Sequence, residues 1–215
     1  MARYRIVYED EWLIVVDKPS GLLVIPTPRK ETNTLTDLLN KSLDDRGIEA
    51  NAYPCHRLDR ETSGLIIYSK GKKAQKLLMG QFRSREVKKS YIAVVHGAVK
   101  KDSGTIESKI FNRNKNRYEA AITKYRLLRR KSDLSVLEVE PVTGRTNQIR
   151  IHLQKIGYPI VGESVYAFRK DFDLKFKRVA LHAANIELKH PITGKALKFS
   201  SPLPEDIEEL IKRRS

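Results

Sequence analysis

The residues His56-Arg57-Leu58-Asp59-Arg60-Glu61-Thr62-Ser63-Gly64 crowd basic, acidic and hydroxyl side chains into a stretch with no helical or strand period, just before the apolar run 65–69. Loops held on the end of a buried strand are where reactive side chains collect, because a rigid scaffold positions them. Arginines flank Asp59 in sequence and favour its ionised form, and an ionised carboxylate serves as base or nucleophile. A surface salt bridge closed by a Thr-Ser-Gly turn accounts for the same residues, and spacing leaves both readings open. A second candidate is Thr143-Gly144-Arg145-Thr146-Asn147-Gln148-Ile149-Arg150-Ile151-His152-Leu153, where glycine and a polar cap open a short helix whose free amides suit a phosphate. Asn147, Arg150 and Gln154 fall on one helical face, and an inward-facing arginine needs an anion, for which Asp59 or a phosphate is available. A capped amphipathic helix with a wet polar face is the plainer reading of that pattern. Third, Lys88-Lys89-Ser90-Tyr91 opens a strand. Tyr91 there is either a stacking platform or proton-transfer group, or a core tyrosine with its hydroxyl satisfied.

The elements that must hold these segments follow from hydrophobic period. Residues 4–8 and 13–16 are β-branched and aromatic runs separated by a polar turn, which predicts a strand pair broken at Lys18-Pro19-Ser20-Gly21. Leu35, Leu38, Leu39 and Leu43 keep helical spacing before Gly47, and Ala74, Leu77, Leu78 and Phe82 do so over 71–83. Strands are expected at 65–69 and 91–95, then an alternating meander at 105–110, 120–128 and 134–140. Ile149, Leu153 and Ile156 form the stripe of a short helix ended by Gly157, and strands near 180–188 and 196–200 precede a helix from Glu205. Antiparallel runs without consecutive βαβ units predict an α+β fold. At 215 residues one domain, 1–215, is expected, with no internal repeat or linker.

Composition narrows the function classes. Forty-two Lys plus Arg against 26 Asp plus Glu give a net charge of +16, in clusters at 70–76, 83–89, 113–117 and 124–131 rather than in one tail. That predicts a basic face for a polyanion, with a solvated lysine-rich surface as the plainer alternative. The N-terminal residues lack an apolar signal core and no apolar run can span a bilayer, so a cytoplasmic protein without membrane contact is expected. One cysteine, Cys55, precludes an intramolecular disulfide, and five scattered histidines show no zinc-type spacing, so no metal is expected. Neither GxGxxG nor GxxxxGKS occurs among the eleven glycines, which argues against ATP or NAD dependence.

HRLDRETSGL at 56–65 resembles the HRLDxxTSGL signature of RluA-type pseudouridine synthases. TGRTNQIRIHL at 143–153 is similar to that family's TGRTHQIRVHL, and KKSYIAVVHG at 88–97 to its KxYxAxVxG strand, in the same order. Flanking blocks agree, including YEDEWLIVVDKPSGLLV, GYPIVGESVYA and LHAANIELKHPITGKALKFSSPLP, so the resemblance covers nearly the whole chain. It implies a bent, mixed but mainly antiparallel sheet in two packed halves, with flanking helices and a central cleft. By the same resemblance Asp59 is the catalytic aspartate, Tyr91 the active-site tyrosine and Arg150 the arginine that pairs with Asp59. Arg57 matches the motif arginine near the flipped nucleotide, while His56, Lys88, Lys89, Arg145, Asn147 and Gln148 are further expected RNA contacts. The auxiliary RNA-binding domain of many relatives is not expected, since the catalytic blocks begin at Tyr8. Two departures stand out: Asn147 replaces the usual histidine and Tyr158 stands where GHP is commoner. Asn147 keeps hydrogen bonding but cannot carry a positive charge.

The activity implied is isomerisation of uridines in structured RNA, ribosomal or transfer, by a monomer without metal or cofactor. A uridine flips from its stack, and Asp59 acts at the ribose either by adding to C1′ or by removing the 2′ proton. A non-catalytic basic RNA-binding module is the competing class. A carboxylate glycosidase, with Glu61 as second acid, ranks below both because it leaves the basic surface unexplained.

Overall fold

The computed structural model describes residues 4–113, 115–167, 174 and 176–212. In chain order the elements are β1 (Arg5–Glu9), β2 (Leu13–Lys18), α1 (Leu35–Asp45), β3 (Ala52–Pro54), β4 (Ser63–Lys70), α2 (Lys72–Arg83) and β5 (Lys88–His96). There follow β6 (Ser103–Asn112), β7 (Arg117–Arg130), β8 (Leu134–Pro141), α3 (Gln148–Lys155), β9 (Leu181–Lys189), β10 (Ala196–Ser200) and α4 (Glu205–Lys212). The α+β class expected from runs of antiparallel strands holds, and the chain divides into two compact units. The first comprises residues 1–88 and 185–201, the second 89–184 and 202–215.

In the first unit β2 pairs antiparallel with β1 and with β4, β3 joins β4, and β10 pairs with β9. The run Leu13-Ile14-Val15-Val16 is fully buried, as are Ile66, Ile67 and Tyr68 opposite it, which is why these strands read as continuous apolar runs rather than as alternations. Each such side chain withdrawn from water contributes about 1.5–3 kcal/mol before entropy is counted. Leu78 of α2, Val87, Ile186 and Leu188 close the core around Leu13, Val15, Leu65 and Ile67. Thr34 caps α1 in a reciprocal box, its hydroxyl meeting the Asp37 amide while the Asp37 carboxylate takes the Thr34 N–H. The short strand β3 was not expected, because three residues ending in Pro54 carry no readable alternation.

The second unit is the predicted meander. β5 pairs with β8, β8 with β7, and β7 with β6, all antiparallel. Here one face is buried and one solvated, so Ile106 and Ile110 of β6 and Glu119, Ala121 and Thr123 of β7 lie inward while their neighbours lie outward. Helix α3 lies against β6, β7 and β8, and its His152 meets Ser108 of β6 and Thr123 of β7 at 3.0 and 2.9 Å. Arg178 fixes α4 with a forked pair to Asp206, Nε to Oδ2 at 2.7 Å and NH2 to Oδ1 at 2.8 Å. Among the described residues no helix is long and apolar enough to cross a membrane.

Candidate active site

Asp59 sits in the loop between β3 and β4, half-buried, with Arg57 and Arg60 exposed on either side of it and Leu58 buried at 6% exposure. Four hydrogen bonds hold the loop by its own carbonyls. Thr62 N–H donates to Asp59 O at 3.1 Å and Ser20 Oγ to Glu61 O at 2.8 Å. Arg60 O accepts from both Gly21 N–H, at 2.8 Å, and Lys18 Nζ, at 3.1 Å. Lys18 is 0% exposed and spends its two other donors on Pro19 O and Leu22 O at 2.9 and 2.8 Å. The Lys18-Pro19-Ser20-Gly21 segment, predicted only to end a strand, is therefore the clamp that fixes the backbone under Asp59. Lys18 was missed; its sequence signal is a lysine closing an otherwise apolar strand, where an ammonium must find three acceptors. His56 is engaged inside this unit, for its Nε2 accepts the Ile67 N–H at 3.1 Å and its ring lies 5.0 Å from that of Phe82. That pins the loop onto β4.

In the second unit Tyr91 is buried on β5, in register with Val139 of β8. Lys88, on the same strand, is exposed, while Lys89 is half-buried and burial draws its ammonium below the ordinary lysine value. Arg150 of α3 faces inward at 7% exposure, one of the two readings its spacing left open, and meets an anion that sequence reasoning did not name. Glu163 takes Arg150 Nε on Oε2 at 2.7 Å and NH2 on Oε1 at 2.8 Å. Glu163 Oε1 also accepts the backbone N–H groups of Ser164, Val165 and Tyr166 at 2.9, 2.8 and 3.2 Å. Burial pushes this carboxyl up, yet Arg150 and the backbone donors more than offset it and leave the group below the usual glutamate value. The turn before it admits no side chain: Gly162 has φ +83°, and a Cβ there would lie 1.8 Å from Arg178 O.

The start of α3 differs from the expected polar cap. Asn147 is left-handed, with φ 54° and ψ 22°, and its side chain makes no cap bond. Instead its Nδ2 donates to Tyr166 Oη at 2.8 Å, and Arg150 lies with its guanidinium carbon 5.4 Å from that ring's centroid. Gln148, an expected RNA contact, is 3% exposed, and both donors and both acceptors of its amide are filled. Its Oε1 accepts from Thr143 Oγ1 at 2.6 Å and Arg145 N–H at 3.0 Å, and its Nε2 donates to Ile122 O and Thr123 Oγ1, each at 2.9 Å. It ties the Thr143-Gly144-Arg145 turn to β7 and has nothing left for a ligand. Arg145 is part-exposed, with Nε on Ala120 O at 3.1 Å and NH1 on Glu119 Oε2 at 2.9 Å. Glu119 is held down at about 2 by the Asn112 amide and the Lys115 ammonium, with Arg145 adding to the effect.

A clamped aspartate loop in one unit, with a buried tyrosine and a braced arginine in the other, coincides with a family match. The match to the RNA pseudouridylate synthase family spans residues 12–155, and so includes Lys18, Asp59, Tyr91 and Arg150. The chain belongs to that family. It is 39% identical over 218 residues to a Bacillus subtilis protein described as the uncharacterized RNA pseudouridine synthase YlyB, covering 96% of this chain and 71% of that one. It is 38% identical over 221 residues to ribosomal large subunit pseudouridine synthase D of Pseudomonas aeruginosa, covering 94% of this chain and 69% of that one. In fold, this synthase resembles human RNA pseudouridylate synthase domain containing 4, at TM-score 0.83 and 22% identity over 97% of this chain and 92% of that one. The RNA pseudouridine synthase activity expected from the motifs is thus supported by family membership, and RNA is its substrate class.

Proposed function

We propose that this synthase isomerises uridine to pseudouridine in ribosomal RNA, with residues 1–215 acting as one catalytic domain and Asp59 as the catalytic carboxylate. Ribosomal RNA is the substrate class because synthases named for the large ribosomal subunit recur among its relatives, in Pseudomonas aeruginosa at 38% identity and Nitrosomonas europaea at 36%. The observation that carries the role of Asp59 is its loop: the carbonyls of residues 59, 60 and 61 are each bound, so the half-buried carboxylate stands on fixed backbone.

In the reaction the C1′–N1 bond breaks and a C1′–C5 bond forms, while N1 gains a proton and C5 loses one; nothing is oxidised, reduced or hydrolysed. Asp59 acts at the ribose of a flipped nucleotide, by addition to C1′ or removal of the 2′ proton, and both routes need it ionised. Arg150, braced on Glu163, stabilises that charge, and Tyr91 stacks on the detached uracil and assists loss of the C5 proton. Arg57 and Lys88, both exposed, take backbone phosphates.

Asp59→Asn should abolish pseudouridine formation in ribosomal RNA transcripts while RNA affinity persists, since only the reactive carboxylate is lost. Full activity in that variant would refute the mechanism, and would return the chain to a basic RNA-binding role. Mapping pseudouridine in ribosomal RNA from cells with and without the protein tests the substrate, and an unchanged map would overturn it.

A further inference from the structure

The tip of the β6–β7 hairpin carries side chains that neither the core nor the proposed reaction uses. On the solvated face of an antiparallel pair, outward positions are ordinarily polar. Thr105, Glu107 and Lys109 obey this along β6, and then Phe111 departs from it, directly opposite Tyr118 of β7. The two rings are 44% and 67% exposed and meet edge to face, centroids 5.2 Å apart. Cross-strand pairing holds both rings in place, so their faces are presented with little conformational freedom left to lose on binding.

Cations lie on both faces of the hairpin near its tip. Between residues 109 and 119 the chain has Lys109, Arg113, Lys115 and Arg117 against the single acid Glu119. Lys109 lies on the same outward row, one pair back from the rings and opposite Ala120. Lys115 Nζ and Arg117 NH2 reach Glu119 Oε1 at 3.0 and 3.4 Å, and Arg145 NH1 reaches Oε2 at 2.9 Å. Glu119 lies inward, on the face opposite the rings, so one carboxylate gathers three cations behind the platform, while Lys109 shares the ring face. An exposed two-ring platform with Lys109 beside it, on a hairpin whose other face is also basic, suits a polyanion with free base faces, which single-stranded RNA has and duplex RNA lacks.

We propose that this hairpin tip docks an unpaired segment of the substrate RNA, a base stacking on Tyr118 and Phe111 while Lys109, beside the rings, takes an adjoining phosphate. The proposal rests on RNA being the substrate. It extends the RNA contact beyond the motif segments, to a cluster that in sequence was only a run of charge.

The test measures affinity of the full chain for a synthetic RNA stem-loop with an unpaired loop and for a blunt RNA duplex of equal length. The rings are exposed, so Phe111→Ala with Tyr118→Ala should keep the wild-type thermal midpoint. Stem-loop affinity should fall between about fivefold and a hundredfold, the range for losing one stacked base, while duplex affinity is unchanged. Tyr118→Phe should bind as wild type, because stacking needs the ring and not the hydroxyl. With the modified transcript, KM should rise by the same factor as the stem-loop dissociation constant and kcat should hold. Unchanged stem-loop affinity in the double variant, or equal losses on both RNAs, would overturn the proposal. Affinity is read without turnover, so a chain that binds in this way but makes no pseudouridine would overturn the proposed reaction and leave the docking site standing.

Discussion

Glu163→Gln is the substitution that most directly probes how Arg150 is held. The Glu163 side chain is 1% exposed and accepts five donors, two from Arg150 and three from backbone amides. Glutamine keeps the volume and one acceptor oxygen, so no cavity opens, but its amide nitrogen then faces the Arg150 Nε donor and the countercharge is gone. Removing one member of a buried ion pair costs about 3–5 kcal/mol, and the retained oxygen places this variant near about 3 kcal/mol. At about 2–4 °C per kcal/mol for a chain of this size, the thermal midpoint should drop by about 6–12 °C. Because the wild-type carboxyl lies below its ordinary value of 4.5, its stabilisation is fully present above that pH and is lost as pH falls through the lowered value. The gap between wild type and variant should therefore be full at neutral pH and close in acid. On the role proposed for Arg150, turnover should fall more than RNA affinity. A midpoint within about 2 °C of wild type, or a gap that widens in acid, would refute the reasoning.

Lys18→Met should loosen the Asp59 loop: three donors to carbonyls vanish, urea unfolding should show a loss of at least about 2 kcal/mol, and kcat should fall with RNA affinity retained. Unchanged turnover would mean that Gly21 and Ser20 suffice to hold the loop. His152 is 0% exposed between Thr123 Oγ1 at 2.9 Å and Ser108 Oγ at 3.0 Å, and burial, with Lys155 nearby, lowers its pKa below 6.5. Its neutral ring stabilises the fold above that value and the contribution is lost as pH falls through the lowered pKa, so stability should decline on acidification. His152→Gln should flatten that decline in urea titrations at successive pH values, and an identical slope would count against it.

Elements that owe their existence to period were legible in the sequence. The strand pair at 5–18, the helices over 35–45 and 72–83, and the meander of β6, β7 and β8 all came from spacing that matches one-sided or two-sided burial. The candidate residues were legible only as segments. Spacing left Arg150 either inward or on a wet polar face and could not name Glu163, because that partner lies beyond a glycine turn packed against the Arg178 carbonyl. The resemblance implied RNA contacts at His56 and Gln148, while tertiary packing fills the Gln148 amide and engages His56 at its Nε2 and ring face. Residue type announces that a side chain needs partners, and only the fold decides whether protein or ligand supplies them.

Asn147 illustrates the same point from the other direction. Read from sequence, its replacement of the usual histidine was a loss of potential charge. The position is left-handed, with φ 54°, a conformation that few side chains other than glycine tolerate, asparagine and histidine being among them. The exchange therefore leaves the backbone entry to α3 unstrained and alters only what the side chain offers. Here that is an amide donating to Tyr166 Oη at 2.8 Å, with its oxygen 3.4 Å from Arg150 NH1. An uncharged group beside Arg150 avoids the like-charge repulsion that a protonated ring would impose, so the departure is compatible with Arg150 carrying the positive charge of this site.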